Sequence, residues 1–522
     1  MNSDGTKLWG ETIRYKNYHV SDEDLNVMRQ KVDTLADDCL LALQEKEITV
    51  DTFISELAGT PPSSYDDRRM DAFAKSVLSV PDWVDWERVK HGQFVFLKNI
   101  ASAALGLLYV SLVGGFAGPK ITKVLDATAY MTKHEESTFR RLNETFEMVL
   151  DCVENEDSLL VGGRGFKSVL KVRFLHSRVR LNLLRKSRRP SNNPHGKDFT
   201  GEIGSCPFNL GFQASSEIIE TVETPPDALD CGTFLNSGDP NYLSDADWIA
   251  VNRTPSIDAQ SSISKDLSKV ADASETKPPV SKSESAKSSW DSEQYGMPIN
   301  QEDMMVTLLS FSMSILETIE KVAVKGTLSS ADEDAYIHLW RYIGYLIGVN
   351  EDINPCTDKN RAGGLLESAI RHLLQPDKRS GELARHLLRS VAGRSPTYFS
   401  YETHSELARY LLGHEIANAL CLERNFIERI RVFFIMKLHL FISYYHTPST
   451  TRGSDRINRI KKILRTVVTT ALQPKKSEIK DKKTDIVIPR PISLFVRNSF
   501  IAAIFIIPFT LSLIFPQHRP FL

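Results

Sequence analysis

Apolar residues recur at three- and four-residue spacing over residues 20–188 and again over 291–473, and between these blocks the pattern is lost. In the first block Thr132-x-x-Glu135 reads as a capping box. It opens a helix whose apolar stripe is Phe139, Leu142, Phe146, Val149 and Leu150, and Arg141, Thr145 and Met148 fall on the opposite face, where solvated surface is expected. KVRFLHSRVR (171–180) predicts a second helix. At 100° per residue Val172, Leu175, Val179 and Leu183 form one stripe, with His176 inside it, Arg173 and Arg180 at its edge and Arg178 opposite. In the second block Pro298 and Asn300 begin a helix with a line of hydroxyls, Thr307, Ser310 and Ser314, suited to a close helix contact or a pocket wall. Helical periodicity continues over 332–349, 362–375, 382–393, 404–420 and 426–445, and no alternating strand pattern of useful length occurs. The expected fold class is all-α.

Composition divides the chain further. From Pro190 to about Ser289 it is rich in Ser, Thr, Asp, Lys and Pro, and 261–289 holds no aromatic residue. Such a segment buries too little apolar surface to offset its ordering entropy, so 189–290 is expected to be a disordered insertion. Residues 1–79 then read as an N-terminal helical extension, and 80–188 and 291–473 as the two halves of one domain. ASAALGLLYVSLVGGFA (101–117) is 17 uncharged residues, near the lower limit of ~17 for a membrane span. Its small residues and charged flanks favour a buried core helix ending at Gly114-Gly115. SFIAAIFIIPFTLSLIF (499–515) is greasier, though Pro508 interrupts it, and it follows a basic linker, 474–498. It reads as a tail anchor that keeps the preceding chain cytosolic.

Lys and Arg number 64 against 66 Asp and Glu, a net charge of −2 that implies no general attraction to nucleic acid. The six cysteines form no CxxC pair, which argues against a zinc site and a disulfide framework. GHEIAN (413–418) lacks the second histidine of HExxH, because Asn418 stands there. GGRGFKS (162–168) lacks phosphate-loop spacing, and there is no GxSxG elbow and no ExxH pair for a di-iron bundle. For His176 two readings stand. One is a buried imidazole flanked by two guanidinium groups, which suits a bound anion or an anionic cofactor with an apolar body. The other is a core histidine bonded to a backbone carbonyl, with arginines that snorkel to solvent.

Five segments occur in a telling order: SLVGGFAGPKITKVLDATAYM (111–131), STFRRLNETFEMV (137–149), KVRFLHSRVR (171–180), YGMPINQEDMMVTLLSFS (295–312) and WRYIGYLIGVNEDINP (340–355). Together they resemble the family of ER-bound oxygenase mpaB and the rubber oxygenases, over about 80–188 and 291–425. The resemblance implies a globin-like helical core around one haem b. It also implies O₂-dependent cleavage of a C=C bond in a prenyl, isoprenoid or other olefinic chain. It places the axial iron ligand at His176 and makes Arg173 and Arg180 the expected partners of the haem propionates. The family's distal Arg-x-x-Lys-Thr cluster falls on Arg141, Glu144 and Thr145, with Glu144 standing where rubber oxygenases have lysine. A carboxylate there suits a general base, and a small prenylated substrate fits better than polyisoprene. With the tail anchor, the expectation is an endoplasmic reticulum membrane protein whose bulk is cytosolic. The alternative is a non-catalytic haem- or lipid-binding helical scaffold.

Overall fold

Polar caps decide where many of the helices begin. In the computed structural model, which describes residues 7–59, 65–128, 131, 134–187, 290–394, 397–445 and 451–472, reciprocal capping boxes at Ser21, Asn300, Ser329 and Asp377 each satisfy otherwise orphaned backbone donors. The helices of the first block are α1 (Asp22–Arg29), α2 (Thr34–Glu45), α3 (Val50–Leu57), α4 (Arg68–Leu78), α5 (Trp86–Lys98), α6 (Ile100–Leu105), α7 (Pro119–Thr128), α8 (Glu135–Val153) and α9 (Arg164–Ser187). Those of the second are α10 (Gln301–Phe311), α11 (Met313–Val322), α12 (Ser330–Ile347), α13 (Lys359–Leu373), α14 (Lys378–Val391), α15 (Tyr401–Leu412), α16 (His414–Ala419), α17 (Phe426–Tyr445) and α18 (Thr451–Leu472). Among the described residues the strands are confined to the short pair Lys7–Leu8 and Glu11–Thr12. The all-α expectation holds. The expected insertion up to Ser289, the basic linker and the 499–515 anchor lie outside the described residues.

Three local details bear on the expectations. Helix α8 begins at Glu135 with His134 at its N-cap, whose side chain makes no cap bond, and Thr132 lies outside the described residues. The helices of the N-terminal stretch share the main core, which runs from Tyr15 through Phe53, Phe73 and Phe174 to Leu365. Cys39, Cys152 and Cys356 are buried free thiols, whereas Cys421 is disulfide-bonded, a bond that the wide spacing of the cysteines did not suggest.

Helices α5 and α12 form an extensive contact because Gly92 lets the backbones meet; a Cβ there would lie 2.5 Å from the Ala335 carbonyl oxygen. The uncharged run after Asn99 is indeed buried at Ala103, Tyr109 and Val113, but α6 passes at Gly106 into a π-helix reaching Val113. Gly106 packs against Ile315 and Thr318 of α11, and Ser111 Oγ donates to the Ser310 carbonyl of α10. A π-helical stretch of this kind frequently marks a functional region. Among the described residues no single helix is long and apolar enough to cross a membrane. Only α5 together with the α6–π segment meets that test, and the two are bent by 79°.

Candidate functional site

Helices α8 and α9 form an antiparallel hairpin. Near its turn Ser168 Oγ donates to the Asp151 carboxylate, and Gly165 lies against the Cys152 backbone.

Of the stripe that periodicity suggests for helix α9, only Leu183 is fully buried. Val172, Leu175, His176 and Val179 are only partly buried. The deeply buried face carries Phe166, Val169, Leu170, Arg173, Phe174, Ser177 and Arg180. His176 Nδ1 is itself sealed from solvent and makes no hydrogen bond. Burial, assisted by the Arg180 charge, lowers the imidazole pKa to about 4, so the ring is neutral at physiological pH. The core-histidine reading calls for a bond to a backbone carbonyl, and among the described residues Nδ1 makes none.

The two arginines depart from their expected role. Arg173 donates Nε to Asp33 Oδ2 at 2.6 Å and a second N–H to Asp33 Oδ1 at 3.0 Å. Gly348, at φ +95°, makes room for this pair, because a Cβ there would stand 2.3 Å from Asp33 Oδ2. Arg180 grips Asp37 at 2.6 and 2.8 Å, and also reaches the Ile299 and Asp33 carbonyls and Ser177 Oγ. Both guanidinium groups thus serve carboxylates of the α2 region and neither snorkels to solvent. The geometry gives no support to them as propionate partners. It makes them ties between α9, α2 and the start of α10.

On α8 the structure brings Arg141 and Glu144 together and leaves Thr145 apart. Glu144 is buried, and its carboxylate accepts from Arg141 at 2.7 Å and from Arg140 at 3.2 Å. Thr145 is exposed and donates back to the Arg141 carbonyl at 3.1 Å. Met148, assigned by periodicity to the solvated face, is buried. The apolar positions Phe139, Leu142 and Phe146 are only half-buried.

Two clusters were not singled out from the sequence. Tyr109, on the π-helix, and His404 of α15 are joined by a 2.6 Å hydrogen bond at Nδ1. His404 Nε2 is buried without a hydrogen bond, with the Val391 backbone beside it, and burial lowers this imidazole to about 4. At the start of α10 the Glu302 carboxylate accepts from Arg29 Nε at 2.6 Å and lies 3.8 Å from Lys120 Nζ, while its Oε1 is buried without a partner. Burial, with the Glu302 charge, lifts Asp303 to about 7, and burial lowers Lys120. Lys120, Glu302 and Asp303 lie within the segments 111–131 and 295–312, but long-range packing alone pairs them. Among the described residues no three His, Cys, Asp or Glu side chains converge as a metal-ion site.

These helices, packed around a partly buried neutral imidazole with half-buried apolar flanks, define an all-α fold. That fold is similar to a solved structure of latex clearing protein LCP in its closed state. The TM-score is 0.51 at 14% identity, covering 90% of this chain and 95% of that one. Residues 279–439 match the family model for the catalytic domain of ER-bound oxygenase mpaB/B' and rubber oxygenase, which bears out the resemblance over that segment. The chain is also 24% identical to the rubber oxygenase of Streptomyces sp. (strain K30) over 132 residues, which are 25% of this chain and 31% of that protein. The aligned part therefore spans about a third of that relative's length. Arg141, Glu144, Thr145 and His176 lie before the segment that the family model matches.

Proposed function

We propose that this chain is a haem-dependent oxygenase acting on a prenyl or other olefinic chain with O₂, with His176 as the protein ligand to the iron of haem b. The observation that carries this reading is the His176 imidazole: partly buried, neutral, with Nδ1 sealed from solvent and without a hydrogen bond among the described residues, on a stripe of half-buried apolar side chains. Neutral imidazole is the form that ligates iron, and apolar flanks suit a macrocycle. When bound, haem supplies the redox chemistry that activates O₂. The residues of the chain have separate tasks. His176 fixes the cofactor, and Arg141 presents an N–H donor held in place by Glu144. Because Glu144 is clamped by two arginines, it serves to orient Arg141. Thr145, bonded to its own helix, is available only after its hydroxyl turns.

His404 is the competing ligand, since Tyr109 orients its Nδ1 while Nε2 stays unbonded, the arrangement that suits a metal-bound histidine. An absorption spectrum of the purified protein decides both questions. The expected wild type has an intense Soret band and about one haem per chain. His176→Ala is expected to lose or loosen the haem with helix content preserved, and His404→Ala to keep it. A Soret band lost only in His404→Ala moves the ligand to α15. No band after haem-supplemented expression and reconstitution overturns the oxygenase and favours a helical scaffold. Residence on the endoplasmic reticulum through the 499–515 tail is part of the proposal. An N-terminal fluorescent fusion is expected to mark that membrane and to be released by truncation before Pro489.

A further inference from the structure

Helix α17 divides into two unlike faces. Val432 and Met436 are buried, the buried Glu428 accepts from Thr403 Oγ1 at 2.7 Å, and His439 Nε2 pairs with Ser102 Oγ at 2.8 Å. On the opposite side Phe426, Ile430, Phe433 and Phe441 follow one another at helical spacing, exposed by 77, 45, 53 and 54%. Ile427 adds to this apolar strip, which runs for roughly 22 Å at 1.5 Å per residue. Lys437 lies along the strip, its ammonium 5.4 Å from the Phe433 ring.

At the N-terminal end of the strip is a pocket of about 300 Å³ lined by Arg409, His414, Arg424, Phe426, Arg429 and Glu406 among others. Arg409 is 3% exposed, and its hydrogen bonds go only to neutral oxygens, the Leu422 carbonyl at 3.0 Å and Asn418 Oδ1 at 2.7 Å. Arg424 shares that same Asn418 oxygen at 2.9 Å. The Glu406 carboxylate accepts from the Asn425 backbone N–H at 2.6 Å. Three arginines thus face one carboxylate, and the buried one hydrogen-bonds to no anion. Phe426 belongs to both the pocket and the apolar strip. An occupant that satisfies both has an anionic head joined to an apolar body.

We infer that α17 docks on a membrane surface, its apolar strip at the headgroup boundary and an anionic phospholipid headgroup in the Arg409–Arg424–Arg429 pocket. An amphipathic helix with cationic residues and exposed aromatics binds such a surface by apolar burial together with attraction to anionic lipid. The inference rests on this surface alone and is independent of the cofactor and of the 499–515 tail.

The test uses the full chain, with hydroxyl-radical footprinting as a local readout that attachment through the tail does not move. With saturating vesicles of 70:30 phosphatidylcholine and phosphatidylserine, oxidation of Phe426 and Phe433 is expected to fall at least five-fold, while Phe94 is unchanged. Pure phosphatidylcholine is expected to give little protection. Arg424→Glu with Arg429→Glu is expected to raise the lipid concentration for half-protection by at least about 25-fold, at roughly five-fold per basic residue. Unprotected Phe426 and Phe433 on protein that floats with the vesicles overturns the inference. So does protection that is equal on neutral lipid, or that appears without vesicles on concentrating the protein, which would mark a self-association face. Protection by inorganic phosphate alone overturns it in favour of a soluble anion site.

Discussion

Arg180→Ala tests whether this arginine ties the fold together or serves a bound cofactor. The guanidinium is fully buried and makes five hydrogen bonds, two to the Asp37 carboxylate and the others to the Ile299 and Asp33 carbonyls and Ser177 Oγ. Truncation leaves a largely buried carboxylate and two carbonyls without their donor. Removing one partner of a buried ion pair costs about 3–5 kcal/mol. At ~2.1 cal/mol/K per residue over the roughly 350 described residues, that lowers the melting temperature by roughly 4–7 °C. Circular dichroism melts of cofactor-free protein are the assay, because no propionate is then present to be lost. Replacing both partners, Arg180→Met with Asp37→Leu, is expected to recover part of the loss by removing the stranded carboxylate. The Ile299 and Asp33 carbonyls still lack their donor, so recovery is incomplete. A loss below about 1 kcal/mol in the cofactor-free protein, with weakened haem retention in the loaded one, would refute the structural role and restore the propionate partner.

Other expectations follow from the same geometry. Arg141→Ala is expected to retain haem while lowering kcat on any substrate identified, because it removes an oriented donor without touching the iron ligand; unchanged turnover returns that face to surface. Asp303, lifted to about 7, holds its proton in the fold more tightly than in the unfolded chain. Its neutral form thus contributes stability that is present below its unfolded value near 4 and is lost as pH rises through about 7. Asp303→Asn, which still offers an oxygen to the Asn300 backbone N–H, is expected to flatten that part of the stability profile, read from urea midpoints between pH 4 and 8. Tyr109→Phe leaves His404 Nδ1 without its partner and is expected to cost about 1–3 kcal/mol. Replacing 195–288 with a short Gly/Ser linker is expected to leave the helices and cofactor content intact, since loop length enters closure entropy only logarithmically; aggregation of the shortened protein would show that the segment belongs to the core.

Local physics made the helices legible. Caps such as Asn300 act within one turn, and amphipathic spacing acts within a few, so both are written in neighbouring residues. The family resemblance was also readable, and the 279–439 match bears out its second half. His176 was found because an imidazole inside an apolar stripe is conspicuous along the chain. What failed was the choice of buried face on α9. Periodicity ranks residues by side-chain chemistry, so it puts Arg173 and Arg180 at the rim. Their burial is decided by Asp33 and Asp37, more than 130 residues earlier, and by the space that Gly348 leaves over the first pair. A charged group is buried when a partner compensates its desolvation, and no helical wheel contains that partner. The same holds for the Tyr109–His404 pair and for the Lys120, Glu302 and Asp303 cluster, whose perturbed ionisation is a property of packing. The sequence by itself determined the helices and a conspicuous histidine. Only the tertiary structure decided which charges sit inside and which ring nitrogens are left without a hydrogen bond, because those depend on contacts between segments far apart in the chain.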